Sequence, residues 1–323
     1  MKFLVTGATG LLGNNIVRQL LVAGETVRVL ARATSDPRPL AGLDVERTEG
    51  DVRDAAAVAT ACQHVDAVIH CAGHVHIGWT QRDVHEQINV IGTRNIATAA
   101  RQAAARMVHV SSVNALGLGH RSSPADEETA LSGIVECPYV LTKREAERVV
   151  LEEVSRGLRA VIVNPAFMLG PWDWKPSSGK MLLALARFVP SAPLGAASFC
   201  DVRDVATSAI VAAAKGTPGR RYILGGHNLT YWDAWRQMAR SAGKRGPFLP
   251  MGPLFRGIIG PILDTYTRLT GREGDANSAA IAMGRQQHCF SSHRAEQELQ
   301  YAIRPWEQTL LDSWAWFREH NYV

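Results

Sequence analysis

The sequence holds little that would tie it to a membrane, a metal or an extracellular scaffold. Only five of its 323 residues are cysteines, Cys62, Cys71, Cys137, Cys200 and Cys289, and no C-x-x-C pair occurs. An odd number of widely spaced thiols argues against a disulfide framework and against a zinc site, and points to a reducing, cytoplasmic setting. No apolar run is long enough to span a bilayer. The start, Met1-Lys2-Phe3-Leu4-Val5-Thr6-Gly7, is broken by glycine too soon for a signal peptide. The formal net charge is +5, but the bases are scattered arginines without a dense run. That pattern speaks against nucleic acid and suits a phosphate-bearing ligand. Residues 248–269 form the most apolar late stretch. Arg256, Asp264 and several glycines and prolines interrupt it, so it reads as a helix over a substrate pocket, with a place on a membrane surface as the alternative.

What is present is a regular alternation. Short β-branched runs at Lys2–Thr6, Thr26–Ala31, 45–48, Ala67–His70, 107–111 and 159–164 are separated by helical patterns at 11–23, 54–62, 82–104 and 139–156. Such βαβ units imply an α/β fold: a Rossmann-type, doubly wound parallel sheet with helices on both faces and ligands at one strand edge. After Asn164, glycine and proline become frequent and the regularity breaks. The expected division is a dinucleotide-binding domain, 1–165, to which 199–215 returns, and a smaller, discontinuous C-terminal substrate lobe, 166–323.

Thr6-Gly7-Ala8-Thr9-Gly10-Leu11-Leu12-Gly13 joins the first strand to the first helix. Gly7 permits a tight turn, Gly10 lets backbone approach a pyrophosphate, and Gly13 lets the helix pack on the strand. The free N–H groups at Leu11, Leu12 and Gly13 would point at the phosphates, with the Thr9 hydroxyl beside them. An acid that bonds the ribose 2′-hydroxyl of NAD often stands at the end of the second strand. Here Val29-Leu30-Ala31-Arg32 stands there instead, followed by Ser35. A guanidinium suits a 2′-phosphate, so NADP(H) is expected over NAD(H). After the third strand, Asp51 and Val52 are placed to meet the adenine, and Asp54 to cap a helix.

Tyr139 and Lys143 lie one helical turn apart, on one face. An ammonium beside a phenol favours the phenolate and brings its pKa down, which suits proton exchange with a carbonyl or alcohol oxygen. His109-Val110-Ser111-Ser112 ends the fifth strand. Ser112 is assigned to hold the substrate oxygen and Ser111 to the cofactor side, the plain alternative being that both serines cap a turn.

Thr6–Gly13, Asp51-Val52, His70-Cys71-Ala72-Gly73, Asn89-Val90-Ile91-Gly92-Thr93, Ser111-Ser112, Tyr139–Lys143 and Asn164-Pro165…Leu169-Gly170-Pro171 occur in an order that resembles the extended short-chain dehydrogenases/reductases, the NAD-dependent epimerase/dehydratase superfamily. Val29-Leu30-Ala31-Arg32 and Lys175-Pro176-Ser177-Ser178-Gly179 look like its dihydroflavonol-reductase-like branch. The resemblance implies that Ala72 and Gly73 line the cofactor and that Asn89 tethers the strand ends. It also implies that Lys143 bonds the nicotinamide ribose, that Pro165 meets the nicotinamide end, and that helices 82–104 and 139–156 pair in a homodimer. Val113-Asn114 stand where the sugar-nucleotide dehydratases of the family carry acids, which speaks against dehydration. Ala115-Leu116-Gly117 lacks the aromatic that many sugar epimerases place before glycine.

His74, His76 and Trp79 follow the fourth strand, and Met168, Trp172 and Trp174 follow the sixth. These are the candidate substrate residues, suited to an apolar or planar molecule. Cys71 reads as a small buried hydrophobe. The expected activity is NADP(H)-dependent hydride transfer between nicotinamide and a small-molecule carbonyl or alcohol. The alternatives are a sugar-nucleotide epimerase with a tightly held nicotinamide cofactor, and a non-catalytic NADP-sensing regulator.

Overall fold

The computed structural model describes residues 1–252 and 255–323; Pro253 and Leu254, inside the apolar stretch 248–269, lie outside the described residues. The strands are β1 (Lys2–Thr6), β2 (Thr26–Ala31), β3 (Glu46–Glu49), β4 (Ala67–His70), β5 (Arg106–Val110), β6 (Ala160–Pro165), β7 (Phe167–Leu169), β8 (Ser191–Ala192), β9 (Ala196–Asp201), β10 (Arg221–Leu224), β11 (His227–Thr230), β12 (Leu249–Pro250) and β13 (Gln287–His288). The helices are α1 (Leu11–Val22), α2 (Ala55–Cys62), α3 (Arg82–His85), α4 (Gly92–Gln102), α5 (Pro138–Ser155), α6 (Gly179–Arg187), α7 (Val202–Lys215), α8 (Tyr231–Ser241), α9 (Gly260–Thr270), α10 (Ser278–Met283), α11 (His293–Leu299) and α12 (Trp306–Glu319).

Seven strands make one parallel sheet in the order β10-β6-β5-β4-β1-β2-β3. Its strands bury both faces with a period of two. Phe3, Val5, Ile69, Val108 and Val163 pack under α1 and α7, while Leu4, Val68, Met107 and Ile162 pack under α2, α4 and α5. At about 1.5–3 kcal/mol for each fully buried large aliphatic side chain, these two layers dominate the stability of the main domain. Strand order reverses between β1 and β4, so a crevice opens at their carboxyl ends, where ligands bind in such sheets.

The sequence reading needs three corrections. The expected helix 82–104 is interrupted by a π-helical stretch, Glu86–Ile91, which joins α3 to α4. Within 199–215, only α7 returns to the main sheet, where it packs on α1. Phe199–Asp201 belongs instead to the small sheet β11-β9-β13 with β7. Arg221–Leu224, which the irregular C-terminal half concealed, supplies the edge strand beside β6. Asp54 caps α2 as expected, its carboxylate accepting from the Ala56 and Ala57 N–H groups at 2.9 and 3.2 Å.

The glycine turn is a steric requirement of this fold. Gly7 has φ +68°, and a β-carbon there would lie 2.6 Å from the Ala72 nitrogen; at Gly13 it would lie 2.2 Å from the Gly7 carbonyl oxygen. Both clashes are with backbone, which yields only by moving β1, β4 or α1. Gly13→Ala should therefore destabilise the protein by about 1–3 kcal/mol. Urea denaturation measures this, and an unchanged midpoint and slope would contradict the packing described.

Candidate active site

The site is built where β1, β4 and β5 end. α1 begins at Gly10 without a side-chain cap. The turn closes on itself through Gly10 N–H to Gly7 O, 3.0 Å, and Asn14 N–H to Gly10 O, 2.9 Å. The intervening N–H groups of Leu11, Leu12 and Gly13 sit in the first turn, where a helix offers unspent donors to an anion. Thr9 stands half-buried beside them. Arg32, exposed at the end of β2, makes no side-chain hydrogen bond among the described residues; the Asp51 carboxyl is held below its usual range chiefly by Arg53 and only in small part by Arg32. Asp51 itself is engaged with Arg53, through its N–H at 3.0 Å and its guanidinium at 2.8 and 2.9 Å. Val52 is buried against α4, where its methyl lies 2.7 Å from the β-carbon position of Gly92.

β4 delivers Ala72 and Gly73 to the same edge. Ala72 N–H donates to Thr6 Oγ1 at 3.2 Å, and a β-carbon on Gly73 would meet Lys143 Nζ at 3.3 Å and Asn89 Oδ1 at 3.4 Å. Asn89 sits in the π-helical stretch, a distortion common at functional sites. Its amide staples the loop after β4: Oδ1 accepts from His74 N–H at 2.7 Å, and Nδ2 donates to His74 O at 3.1 Å and to Thr142 Oγ1 at 3.2 Å.

α5 opens at Pro138 and carries Tyr139 and Lys143 on its buried face. Lys143 Nζ donates to the Val110 carbonyl at 3.0 Å. Burial, partly offset by Glu147, brings its pKa down to about 8. Burial pushes the Tyr139 phenol above its ordinary value, and the Ser112 hydroxyl facing it draws the pKa partly back. The sequence argument expected Lys143 to lower that pKa; in the structure Ser112 has this effect and Lys143 turns toward Val110. Ser112 also accepts from Asn114 N–H at 3.2 Å, so it caps the short turn after β5 as well as facing Tyr139. Such contacts are often loose before substrate is present. Ser111 Oγ is buried without a hydrogen-bond partner among the described residues. Pro165 closes β6, paired with Leu224.

Beneath the ammonium lie two buried histidines. His70 bonds Thr6 Oγ1 at 2.7 Å and Thr93 Oγ1 at 3.1 Å, and burial brings its pKa down to about 3. Among the described residues neither ring nitrogen of His109 has a hydrogen-bond partner, and burial keeps it neutral. Neither adds a positive charge to compete with Lys143. Burial also pushes the Cys71 thiol up to about 12, in keeping with an unreactive small hydrophobe.

The candidate substrate residues divide. His74 bonds Gln81 at 2.8 Å and lies 4.6 Å, ring to ring, from His85, which in turn is 6.1 Å from the Tyr139 ring. His76, Trp79 and Thr80 converge on Glu273. The His76 Nε2, Trp79 N–H and Thr80 N–H distances are 2.8, 2.9 and 3.0 Å, and Trp79 Nε1 donates to Ser278 at 2.7 Å. Burial pushes the Glu273 carboxyl up, but these bonds and the Thr80 hydroxyl hold it below its usual range. Met168, Trp172 and Trp174, expected near the carbonyl, are drawn into packing instead. Met168 packs on the main core, and the two tryptophans join Trp316 and His320 in the C-terminal lobe, with Arg18 stacked 3.3 Å over Trp172. The side chains packed with Tyr139 are Cys137, Val140, Ala279 and Met283, joined by Ile77, Ile134 and Val135.

Three participants escaped the sequence reading. His85 lies inside the helical pattern 82–104 and carried no signal of its own. Glu273 is nearly 200 residues from the loop it holds. Glu147 left a signal, an acid one turn beyond the Tyr–Lys pair. It bonds Asn164 Nδ2 and Arg221 Nε, each at 2.7 Å, and so ties α5 to β6 and β10.

The model described as the NAD dependent epimerase/dehydratase family matches residues 3–225. Sterol demethylase protein B of Methylococcus capsulatus is 35% identical over the full length of both chains. A Synechocystis protein provisionally named dihydroflavonol 4-reductase is 32% identical, covering 99% of this chain and 96% of its own. The crystal structure of a nucleoside-diphosphate-sugar epimerase from Pseudomonas aeruginosa superposes with a TM-score of 0.81 at 26% identity, covering 100% of this chain and 99% of that one.

Glu273→Ala should free the loop after β4 without disturbing the sheet. Amide hydrogen exchange at Trp79 and Thr80 should then speed up by about tenfold or more, as a local opening no longer opposed by these bonds. Unchanged protection at both amides would show that the loop is held by something else.

Proposed function

We propose that this chain, which belongs to the NAD dependent epimerase/dehydratase family, is an NADP(H)-dependent oxidoreductase that interconverts a ketone and a secondary alcohol on an apolar, ring-bearing substrate. The observation that carries the reading is the convergence of Tyr139, Ser112 and Lys143 on the edge that also holds the glycine turn, with Lys143 Nζ 3.3 Å from the β-carbon position of Gly73.

The residues present fit a dinucleotide phosphate. Uncapped N–H groups open α1, Ser111 Oγ is buried without a hydrogen-bond partner among the described residues, and Arg32 is free to meet a 2′-phosphate. The glycine turn would hold the pyrophosphate, Ala72, Gly73 and Pro165 the nicotinamide end, and Lys143 a ribose hydroxyl. When bound, NADP(H) supplies or receives the hydride. Ser112 holds the substrate oxygen against Tyr139, which as phenol donates its proton to a carbonyl and, in the reverse direction, as phenolate takes one from an alcohol. The Ser112 hydroxyl facing Tyr139 stabilises the phenolate that proton donation leaves, while Lys143, held on the Val110 carbonyl, keeps its remaining N–H donors for the ribose. Asn89 and Glu147 position these groups through the bonds already described.

Aliphatic neighbours of Tyr139 favour an apolar substrate over a sugar nucleotide, whose diphosphate demands cationic partners. The Methylococcus relative is named for sterol demethylation, and a sterol is an apolar, ring-bearing molecule. A spectrophotometric panel of sterol, flavonoid and aliphatic ketones with NADPH tests the class; net cofactor consumption separates a reductase from an epimerase, which shows none.

Tyr139→Phe should lower kcat by about 100-fold or more, the order contributed by a positioned general acid, while leaving NADPH affinity within about twofold. Comparable turnover in the variant would refute the assignment. Arg32→Ala should weaken NADPH by about tenfold or more, the scale of one lost charge-assisted contact, and leave NADH unchanged. An equal loss for both cofactors would exclude a 2′-phosphate contact.

A further inference from the structure

α9 is inside out. Ile258, just before it, and Ile262, Tyr266 and Leu269 within it are 52%, 59%, 57% and 82% exposed, and their spacing of four, four and three residues places them on one helical face. The inward side is held by small and polar groups. Gly260 and Thr267 are buried, and Asp264 accepts from Ser278 N–H at 3.1 Å. A helix that belongs to a water-facing surface shows the opposite arrangement.

Charge follows the same segment. Residues 240–272 hold five arginines and one lysine against one aspartate, a net +5 that equals the formal net charge of the whole chain. Arg240, Lys244, Arg245, Arg268 and Arg272 are exposed. The acids that follow are already engaged, Glu273 with the loop after β4 and Asp275 with Lys180. A second exposed apolar group precedes α9. Phe188 and Phe248 lie 6.4 Å apart, ring to ring, and Leu249 beside them is 54% exposed.

We propose that the exposed apolar stripe on α9, with Arg268 in its last turn and Arg272 just after it, docks the protein on the surface of an anionic lipid bilayer. Aliphatic and aromatic side chains enter the boundary between headgroups and acyl chains, while each arginine or lysine is drawn to acidic headgroups. A second copy of the chain is a poorer occupant, because a two-fold pairing of this face would set one basic surface against the other. The position has a use. α10, directly after α9, supplies Ala279 and Met283 to the cluster around Tyr139, so the docked face lies next in the chain to the cleft an apolar substrate must enter. The docking does not depend on the proposed activity, because it is read without turnover.

The experiment is co-sedimentation of the full chain with vesicles of phosphatidylcholine alone and of phosphatidylcholine mixed with phosphatidylglycerol, at low and high salt, with gel filtration of the same samples. The wild type should sediment only with the mixed vesicles and be released by salt. Ile262→Ser/Leu269→Ser and Arg268→Glu/Arg272→Glu should each lower the partition coefficient by about tenfold or more. Both pairs are exposed, so thermal melting should match the wild type; should one pair unfold the chain, the other still gives the answer. Wild type left in the supernatant with both vesicles overturns the proposal, as does equal binding to both or undiminished binding of a folded variant. A dimer that Ile262→Ser/Leu269→Ser converts to monomer, with no vesicle binding, assigns the stripe to a second copy instead.

Discussion

Lys143 carries an ammonium into a wall of protein, and among the described residues no carboxylate oxygen lies within ion-pair distance of it. One of its three N–H donors is spent on the Val110 carbonyl. An incompletely partnered buried charge is unfavourable, and the surroundings are arranged to tolerate it. His70 and His109 stay neutral beneath it, and Glu147 contributes a compensating charge from one turn away. The chain keeps a strong donor where a plain core would place an aliphatic residue. That donor lies against Gly73, where a β-carbon would come within 3.3 Å of it and one of the two would have to give by a few tenths of an ångström.

The rest of the site follows from holding that edge together. Backbone packing at Gly7 and Gly13 brings β1, β4 and α1 within van der Waals contact, so the carboxyl ends of the strands cannot separate. Asn89 fixes the loop after β4 from one side, and Glu273 fixes its continuation from the other. The C-terminal lobe therefore shapes the wall opposite Tyr139 through a carboxylate clasp and the apolar faces of Ala279 and Met283. Its own stability comes from elsewhere, an aromatic core in which Trp306, Trp314, Trp316 and Phe317 are buried.

The first half of the chain was legible because its chemistry is local. Short, continuously apolar runs mark Lys2–Thr6 and Ala67–His70 to the residue, and both are buried along almost their whole length; the glycine spacing and the Tyr–Lys pair each lie within a few residues. What stayed hidden depends on distant partners. Arg221–Leu224 is four residues long and becomes a strand only because β6 offers it a free edge. Glu273 has no signature of its own; its role exists only once the fold brings residues 76–80 to it. Trp172 and Trp174 misled for the same reason, since a loop aromatic can line a cleft or fill a neighbouring core, and Trp316, His320 and Arg18 decide for the core. The environment also altered the expected electrostatics, because burial reduces the pKa of Lys143 itself, and Ser112 rather than Lys143 draws the Tyr139 pKa back.

The buried ammonium is open to direct measurement. With 15N- or 13C-labelled lysine, six resonances are expected, and Lys143→Arg assigns the one at issue. The account predicts that Lys143 in the folded, cofactor-free protein titrates at about 8. A midpoint at the ordinary lysine value, about 10.4, would place that ammonium in water and contradict the site as described.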